Sequence, residues 1–304
     1  MSHPASSSEV LAVDGLSKRF GATTAVNELR LSVAAGRTLG LLGVNGAGKT
    51  TTIKLLMGLL RRDAGMVRVL GVDPVADPLS VRRRVGYVPE QHLIHRWMRI
   101  GDAVAFCRPF FPTWNDALTG RLVTEFGLDP RKRVRHLSKG MLVKLSLVLA
   151  LAHEPELLLL DEPMAGLDPI AREELLDGVL RSICERPRTI LLSSHTLSDV
   201  QRLSDEIAIL HEGRLLVHSP IDELLRRTKR IRAVLVDGCA PSERPAGLFW
   251  ERVQNREWLL SVKDFEPATV ELLRTRNRVE NVQVIDIGLE DVFKDYVRSW
   301  RART

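Results

Sequence analysis

Thr38-Leu39-Gly40-Leu41-Leu42-Gly43-Val44-Asn45-Gly46-Ala47-Gly48-Lys49-Thr50-Thr51 is the stretch on which the reading of this chain turns. Thr38 to Leu42 has the apolar character of a buried strand and runs straight into a glycine-rich loop, and a helix is expected from about Lys49 to Leu60. Strand, glycine-rich loop and helix in that order fit a phosphate-binding loop. Glycines let the backbone wrap closely, so that successive N–H groups and the positive end of the helix point at a triphosphate. Lys49 adds a full charge for the β- and γ-phosphates, and the Thr50 hydroxyl can ligate Mg²⁺. Gly43, Val44, Asn45, Gly46, Ala47, Gly48, Lys49, Thr50 and Thr51 are therefore the expected nucleotide-binding residues.

Further along, Leu157-Leu-Leu-Leu160 is a second buried-type strand and ends in Asp161-Glu162-Pro163. Ligands collect at the carboxyl ends of strands in parallel α/β sheets. Asp161 is expected to hold Mg²⁺, directly or through water, and Glu162 to orient and polarise an attacking water. In isolation this would be an ordinary strand end; beside the phosphate loop it reads as chemistry. Leu137-Ser138-Lys139-Gly140-Met141 precedes Asp161 by about twenty residues. Ser138 is a natural N-cap for a helix from Lys139 to Ala152, and taken alone the segment is a capped helix.

As an ordered set these motifs resemble the ATP-binding cassette (ABC) family, over about residues 8–228. Leu137 to Met141 is similar to the family's LSGGQ signature, whose helix points its N-terminus at the γ-phosphate bound by the other subunit. Lys139 and Met141 replace a glycine and the glutamine, which leaves Ser138 and Gly140 as the phosphate donors. Phe20 sits where the family stacks an aromatic ring on adenine. Ala165-Gly166-Leu167-Asp168 resembles the D-loop that links two active sites, with Asp168 closing it. His195, after Leu191-Leu-Ser-Ser, stands where the switch histidine contacts the γ-phosphate. The family's Q-loop glutamine follows a strand such as Val85-Gly-Tyr-Val88; here Glu90 takes that place on the metal side, with Gln91 as the alternative.

The resemblance implies an ATPase that uses ATP and Mg²⁺, with Lys49, Glu162 and His195 as catalytic residues. It implies head-to-tail pairing, as a homodimer or as a heterodimer with a paralogous ATPase subunit, and two ATP molecules held between the subunits. It also implies a separately encoded transmembrane permease and a peripheral place on the cytoplasmic face of the cell membrane. The signature and Q-loop departures, together with Gly288-Leu-Glu-Asp-Val-Phe293, resemble the branch built into exporters. The alternative is a non-transport ABC ATPase acting on the ribosome or nucleic acid. Translation factors of the family carry two cassettes, and chromosome or repair ATPases interrupt theirs with a long coiled coil or zinc module. Neither feature is present in this sequence.

Outside the motifs, apolar runs alternating with helical patterns give an α/β fold class. The expected architecture is a parallel-sheet P-loop core with an N-terminal antiparallel β-subdomain and a helical subdomain at about 92–152. The ATP-binding domain is expected over 9–230, after a disordered tail at 1–8, and a small α+β accessory or regulatory domain over 231–304. Residues are 44% apolar and 27% charged, as in a globular protein. Cys107, Cys184 and Cys239 show no paired spacing, which excludes a disulfide framework or metal site. The N-terminal MSHPASSS lacks the apolar core of a signal peptide. The most apolar run, Leu145 to Ala152, is about half the length of a membrane helix.

The net charge is +6, with clusters at Arg82 to Arg84, Arg131 to Arg135 and Arg226 to Arg232. These read as solvated surface or as attraction to an anionic leaflet. No recognition motif accompanies them, so no specific nucleic acid is expected. Glu90 to Ile100 is expected to dock on the membrane partner, with Trp97 either exposed for that purpose or packed among the helices.

Overall fold

The computed structural model describes residues 9–91, 94–185, 188–236, 244–276 and 279–302. The tail expected at 1–8, Cys239 and the Cys184 side chain lie outside these residues. Among the described residues no helix is long and apolar enough to cross a membrane. The chain divides into two compact units, Met1–His218 and Ser219–Thr304.

In the first unit, β1 (Glu9–Phe20) and β2 (Thr23–Ala34) pair antiparallel. β3 (Thr38–Leu42) leads through the glycine loop into α1 (Lys49–Leu56), and β4 (Ala64–Val69) returns to pair antiparallel with β1. β4 is hard to read in sequence because only Val67 and Val69 of its six residues are buried. α2 (Pro78–Arg84), capped by Asp77 accepting the Ser80 N–H, enters β5 (Val85–Val88). Its basic last turn reads in sequence as a charge cluster, although basic residues suit a helix C-terminus. α3 (Ile100–Cys107), α4 (Asp116–Glu125) and α5 (Lys139–Leu151) precede β6 (Leu157–Asp161). α6 (Pro169–Glu185), β7 (Thr189–Ser194), α7 (Leu197–Leu203) and β8 (Glu206–His211) follow. A turn at Glu212-Gly213 then starts β9 (Arg214–Pro220).

The central sheet has the order β5-β6-β7-β3-β8-β9 and is parallel from β5 to β8. Its middle strands are buried on both faces, and strand periodicity sends alternate side chains to opposite layers. Leu157, Leu159, Leu191, Leu39 and Leu41 pack with α1 and the three-stranded sheet. Leu158, Leu160, Ile190 and Leu192 pack with the helices between α3 and α6. Truncating any one of these leucines to alanine should cost about 2–5 kcal/mol.

The sequence carries α1 to Leu60, but the helix stops at Leu56. Gly58 adopts φ +61°, its N–H donates to Leu55 O (3.1 Å), and the Leu59 N–H donates to Lys54 O (2.9 Å). This is a Schellman cap, which the apolar residues on either side conceal in a pattern reading. Trp97 is 68% exposed while its neighbour Met98 is buried, so packing of Trp97 among the helices is set aside.

The second unit holds α8 (Ile221–Arg227), β10 (Lys229–Leu235), β11 (Leu248–Gln254), β12 (Glu257–Val262), α9 (Ala268–Arg276), β13 (Val279–Asp286) and α10 (Leu289–Arg301). Its antiparallel sheet runs β11-β12-β10-β13 over a core of Trp258, Ile231, Leu260 and Leu273. The sequence places the boundary near Arg230, whereas the chain divides before α8. Arg227 at the end of α8 pairs with Asp264, and its carbonyl accepts the Phe265 N–H, which ties the helix to this sheet.

Candidate nucleotide site

The strand order puts β6, β7 and β3 side by side, so their carboxyl ends open on one edge of the sheet. A cleft of about 510 Å³ lies there, lined by Phe20, Ala25, Asn45 to Thr51, Glu90, Glu162, Ala165 and His195. The loop packs tightly against the backbones of β2 and β8. Gly48 has φ +104°, and a β-carbon there would lie 2.3 Å from Ala25 O; one on Gly43 would lie 2.6 Å from Leu210 O. Lys49 is buried, and its Nζ donates to Gly43 O (2.6 Å) and Val44 O (3.3 Å). Gly43 and Val44 thus sit behind the cleft, as acceptors for the lysine.

At the end of β6 the backbone turns sharply, with Glu162 at φ +48°, a left-handed conformation unusual for this residue. Ser193 holds the turn, accepting the Glu162 N–H at its Oγ (2.9 Å) and its carbonyl (3.2 Å). Glu162 Oε1 lies 3.0 Å from Lys49 Nζ, and Oε2 lies 2.7 Å from His195 Nδ1. One carboxylate therefore touches residues separated by most of the unit's length.

Asp161 is completely buried behind Thr50. Its Oδ1 accepts from Thr50 Oγ1 (3.0 Å) and Ser193 Oγ (2.8 Å), while Oδ2 has no hydrogen-bond partner among the described residues. Burial pushes this carboxyl above the usual range, against the hydrogen bonds from Ser193 and Thr50. An orphaned buried oxygen beside a threonine hydroxyl suits a hard cation. Among the described residues no cluster of three or more His, Cys, Asp or Glu side chains could hold a metal alone.

Phe20 is half exposed at the cleft mouth, with the Lys18 ammonium 5.5 Å from its ring centre. Ser138, Gly140 and Asp168 do not line the cleft. Ser138 Oγ caps α5 by accepting the Met141 N–H (3.2 Å), and Asp168 Oδ1 accepts the Ala171 N–H (2.9 Å) at the start of α6. Gly140 is buried, and a β-carbon there would lie 3.0 Å from Ala171 Cβ. Glu90 lines the cleft; Gln91 is exposed and is not among the lining residues. Sequence reasoning did not single out Ser193. The available signal was a pair of serines closing an otherwise apolar strand.

Residues 26–165 match the family model for ABC transporters. The chain is 32% identical over 285 residues to an uncharacterized ABC transporter ATP-binding protein of Synechocystis, covering 90% of this chain and 78% of that protein. It is 33% identical over 290 residues to the Nod factor export ATP-binding protein I of Burkholderia orbicola, covering 91% of this chain and 93% of that protein. A solved structure of the ATP-binding subunit of an ABC transporter superposes with a TM-score of 0.65 at 31% identity, over 71% of this chain and 92% of that one.

Proposed function

This chain belongs to the ABC transporter ATP-binding proteins, and on that premise we propose that it hydrolyses ATP in the cleft at the end of β6 to power export through a separate transmembrane permease. The observation that carries the reading is the convergence of Lys49, Thr50, Asp161, Glu162 and His195 on one cleft. Export is supported by kinship with a Nod factor export protein along nearly the full length of both chains. The cargo would be selected by the permease.

Asn45 to Thr51 would receive the phosphates on backbone N–H groups, and Phe20 would stack on the base. Lys49 would exchange its loop carbonyls and Glu162 for phosphate oxygens. Thr50, Asp161 and Glu90 would hold Mg²⁺ with the phosphates, the cation neutralising charge on the transferring group. The orphaned Asp161 oxygen supports this assignment. Glu162, once released by Lys49, would accept a proton from the attacking water, and His195 would bridge that carboxylate and the γ-phosphate. Two copies, or this chain and a paralogue, would pair so that Ser138 and Gly140 of one reach the phosphates of the other, with Asp168 at the junction. The pair would sit on the cytoplasmic face of the membrane. Closure would follow ATP binding, and hydrolysis would release it.

The test is purification from detergent-solubilised membranes. A co-purifying transmembrane protein and ATP turnover that requires Mg²⁺ are expected. Co-purification with ribosomes or nucleic acid, and with no transmembrane protein, would point to the non-transport alternative.

A further inference from the structure

Two segments distant in sequence lie side by side on the first unit. The Ile100 N–H donates to Lys132 O (3.0 Å), the Val134 N–H to Met98 O (2.9 Å) and the Arg135 N–H to Arg96 O (3.0 Å). Arg99 and Arg133 face each other as an antiparallel bridge. Met98, Ile100 and Val134 are buried beneath this short ribbon, which leaves Arg96, Arg99, Arg131, Arg133 and Arg135 exposed above it. Across 94–101 and 129–137 there are six Lys and Arg residues against one acid, Asp129, which pairs with Arg131 at 3.3 Å. Among the described residues none of Arg96, Arg99, Arg133 and Arg135 has a carboxylate ion pair.

Like charges placed directly opposite each other on paired strands are destabilising. Charge therefore gives the Arg99–Arg133 bridge no stability; the ribbon is held by its backbone hydrogen bonds, by Arg99 Nη1 donating to Arg131 O (2.7 Å) and by the buried residues below. Trp97 projects from the same strip, 68% exposed and stacked on His95 with ring centres 5.9 Å apart. Indole groups favour the level of lipid headgroups, and clustered basic side chains are drawn to an anionic leaflet. An acidic protein surface would require a carboxylate placed against each guanidinium. A broad strip of guanidiniums around an exposed indole fits a lipid surface better.

We propose that the ribbon formed by residues 95–99 and 131–136 is the chain's own contact with anionic membrane headgroups, beside the permease. This rests on the reading that the chain works at a membrane. It takes His95 to Arg99, part of the segment expected from sequence to meet the protein partner, and assigns it to lipid.

The test uses the full chain and vesicles of phosphatidylcholine, with and without phosphatidylglycerol. Binding is expected only to the anionic vesicles, at roughly 0.1 M salt, and should be lost at roughly 0.5 M. The triple variant Arg96→Gln, Arg133→Gln, Arg135→Gln should bind about a hundredfold more weakly, with unchanged basal ATPase activity and a melting temperature no lower than wild type. Trp97→Ser should weaken binding by a smaller factor. Equal binding to both vesicle types, or a triple variant that binds like wild type, overturns the proposal. So does loss of permease co-purification by the triple variant when wild type ignores both vesicles; the ribbon would then meet an acidic protein surface. ATPase activity without vesicle binding sinks the ribbon and leaves the functional reading standing. Vesicle binding by a chain that cannot hydrolyse ATP does the reverse.

Discussion

Lys49 Nζ lies 3.0 Å from Glu162 Oε1, and both side chains are almost entirely buried. The loop's cation and the carboxylate at the end of β6 are thus each other's counter-ion. In the proposed mechanism phosphate would take the lysine before the carboxylate turns to water, which makes each residue a probe of the other.

Glu162→Gln keeps shape and removes basicity. Turnover should fall by roughly 10²–10⁴-fold, the loss typical of a positioned general base, while ATP and Mg²⁺ still bind through Lys49, Thr50 and Asp161. Persistent ATP should stabilise the paired state and raise its melting temperature, as any ligand selective for one state does. Near-normal ATPase rates would remove Glu162 from the chemistry. An inactive variant that stays monomeric with saturating ATP would count against shared sites, unless a paralogue or permease is needed for pairing.

Lys49→Ala should remove most ATP affinity, because the triphosphate loses the cation inside the loop. It should also lower stability, since breaking a buried ion pair by deleting one partner costs about 3–5 kcal/mol. Calorimetry and thermal unfolding read the two effects separately. Unchanged nucleotide binding would sink the phosphate-loop assignment.

Gly48→Ala tests the loop's backbone. At φ +104° an alanine is strained by about 1–2 kcal/mol, and its β-carbon would meet Ala25 O at 2.3 Å. The loop must shift, so ATP affinity should drop with little change in secondary structure by circular dichroism. Wild-type affinity would show that the loop tolerates the displacement.

His153 is buried and stacked on Phe111 with ring centres 4.0 Å apart, and burial lowers its pKa to about 4. The unfolded chain gains this proton near the ordinary histidine value, whereas the folded chain resists it. Stability is therefore unaffected above about pH 6.5 and falls by about 1.4 kcal/mol per pH unit as pH drops toward 4. His153→Phe keeps the stack and should flatten that dependence in denaturant melts between pH 6.5 and 4.5. An unchanged slope would mean that other groups set it.

A chain ended after Pro220 keeps β9 whole and removes the second unit from α8 onward. It should retain ATP binding, since every cleft residue precedes residue 200, and we expect the second unit to serve regulation or pairing instead. Loss of nucleotide binding by a demonstrably folded shortened chain would refute that division.

Local signals made most elements legible. β3 and β5 fall where the sequence places them, because each is a short apolar run. α7 carries no such signal, since its seven residues give too few turns for a periodic pattern. Gly58 ended α1 inside an apolar run, where a reading by hydrophobicity sees no stop.

Identity of the site residues lay in the sequence: a lysine and threonine after glycines, two acids after a leucine strand, a histidine after serines. These are covalent neighbours, and their chemistry does not depend on the rest of the chain. Their meeting does. Only the order β6-β7-β3 puts Asp161, Ser193 and the glycine loop on one edge, and only that packing pairs Lys49 with Glu162 and leaves an Asp161 oxygen without a partner. The same is true of Arg99 and Arg133, which lie far apart along the chain and become opposed through backbone pairing. Distances between residues far apart in sequence are set by how strands order and layers bury apolar faces, a cooperative property of the folded chain that no single segment carries.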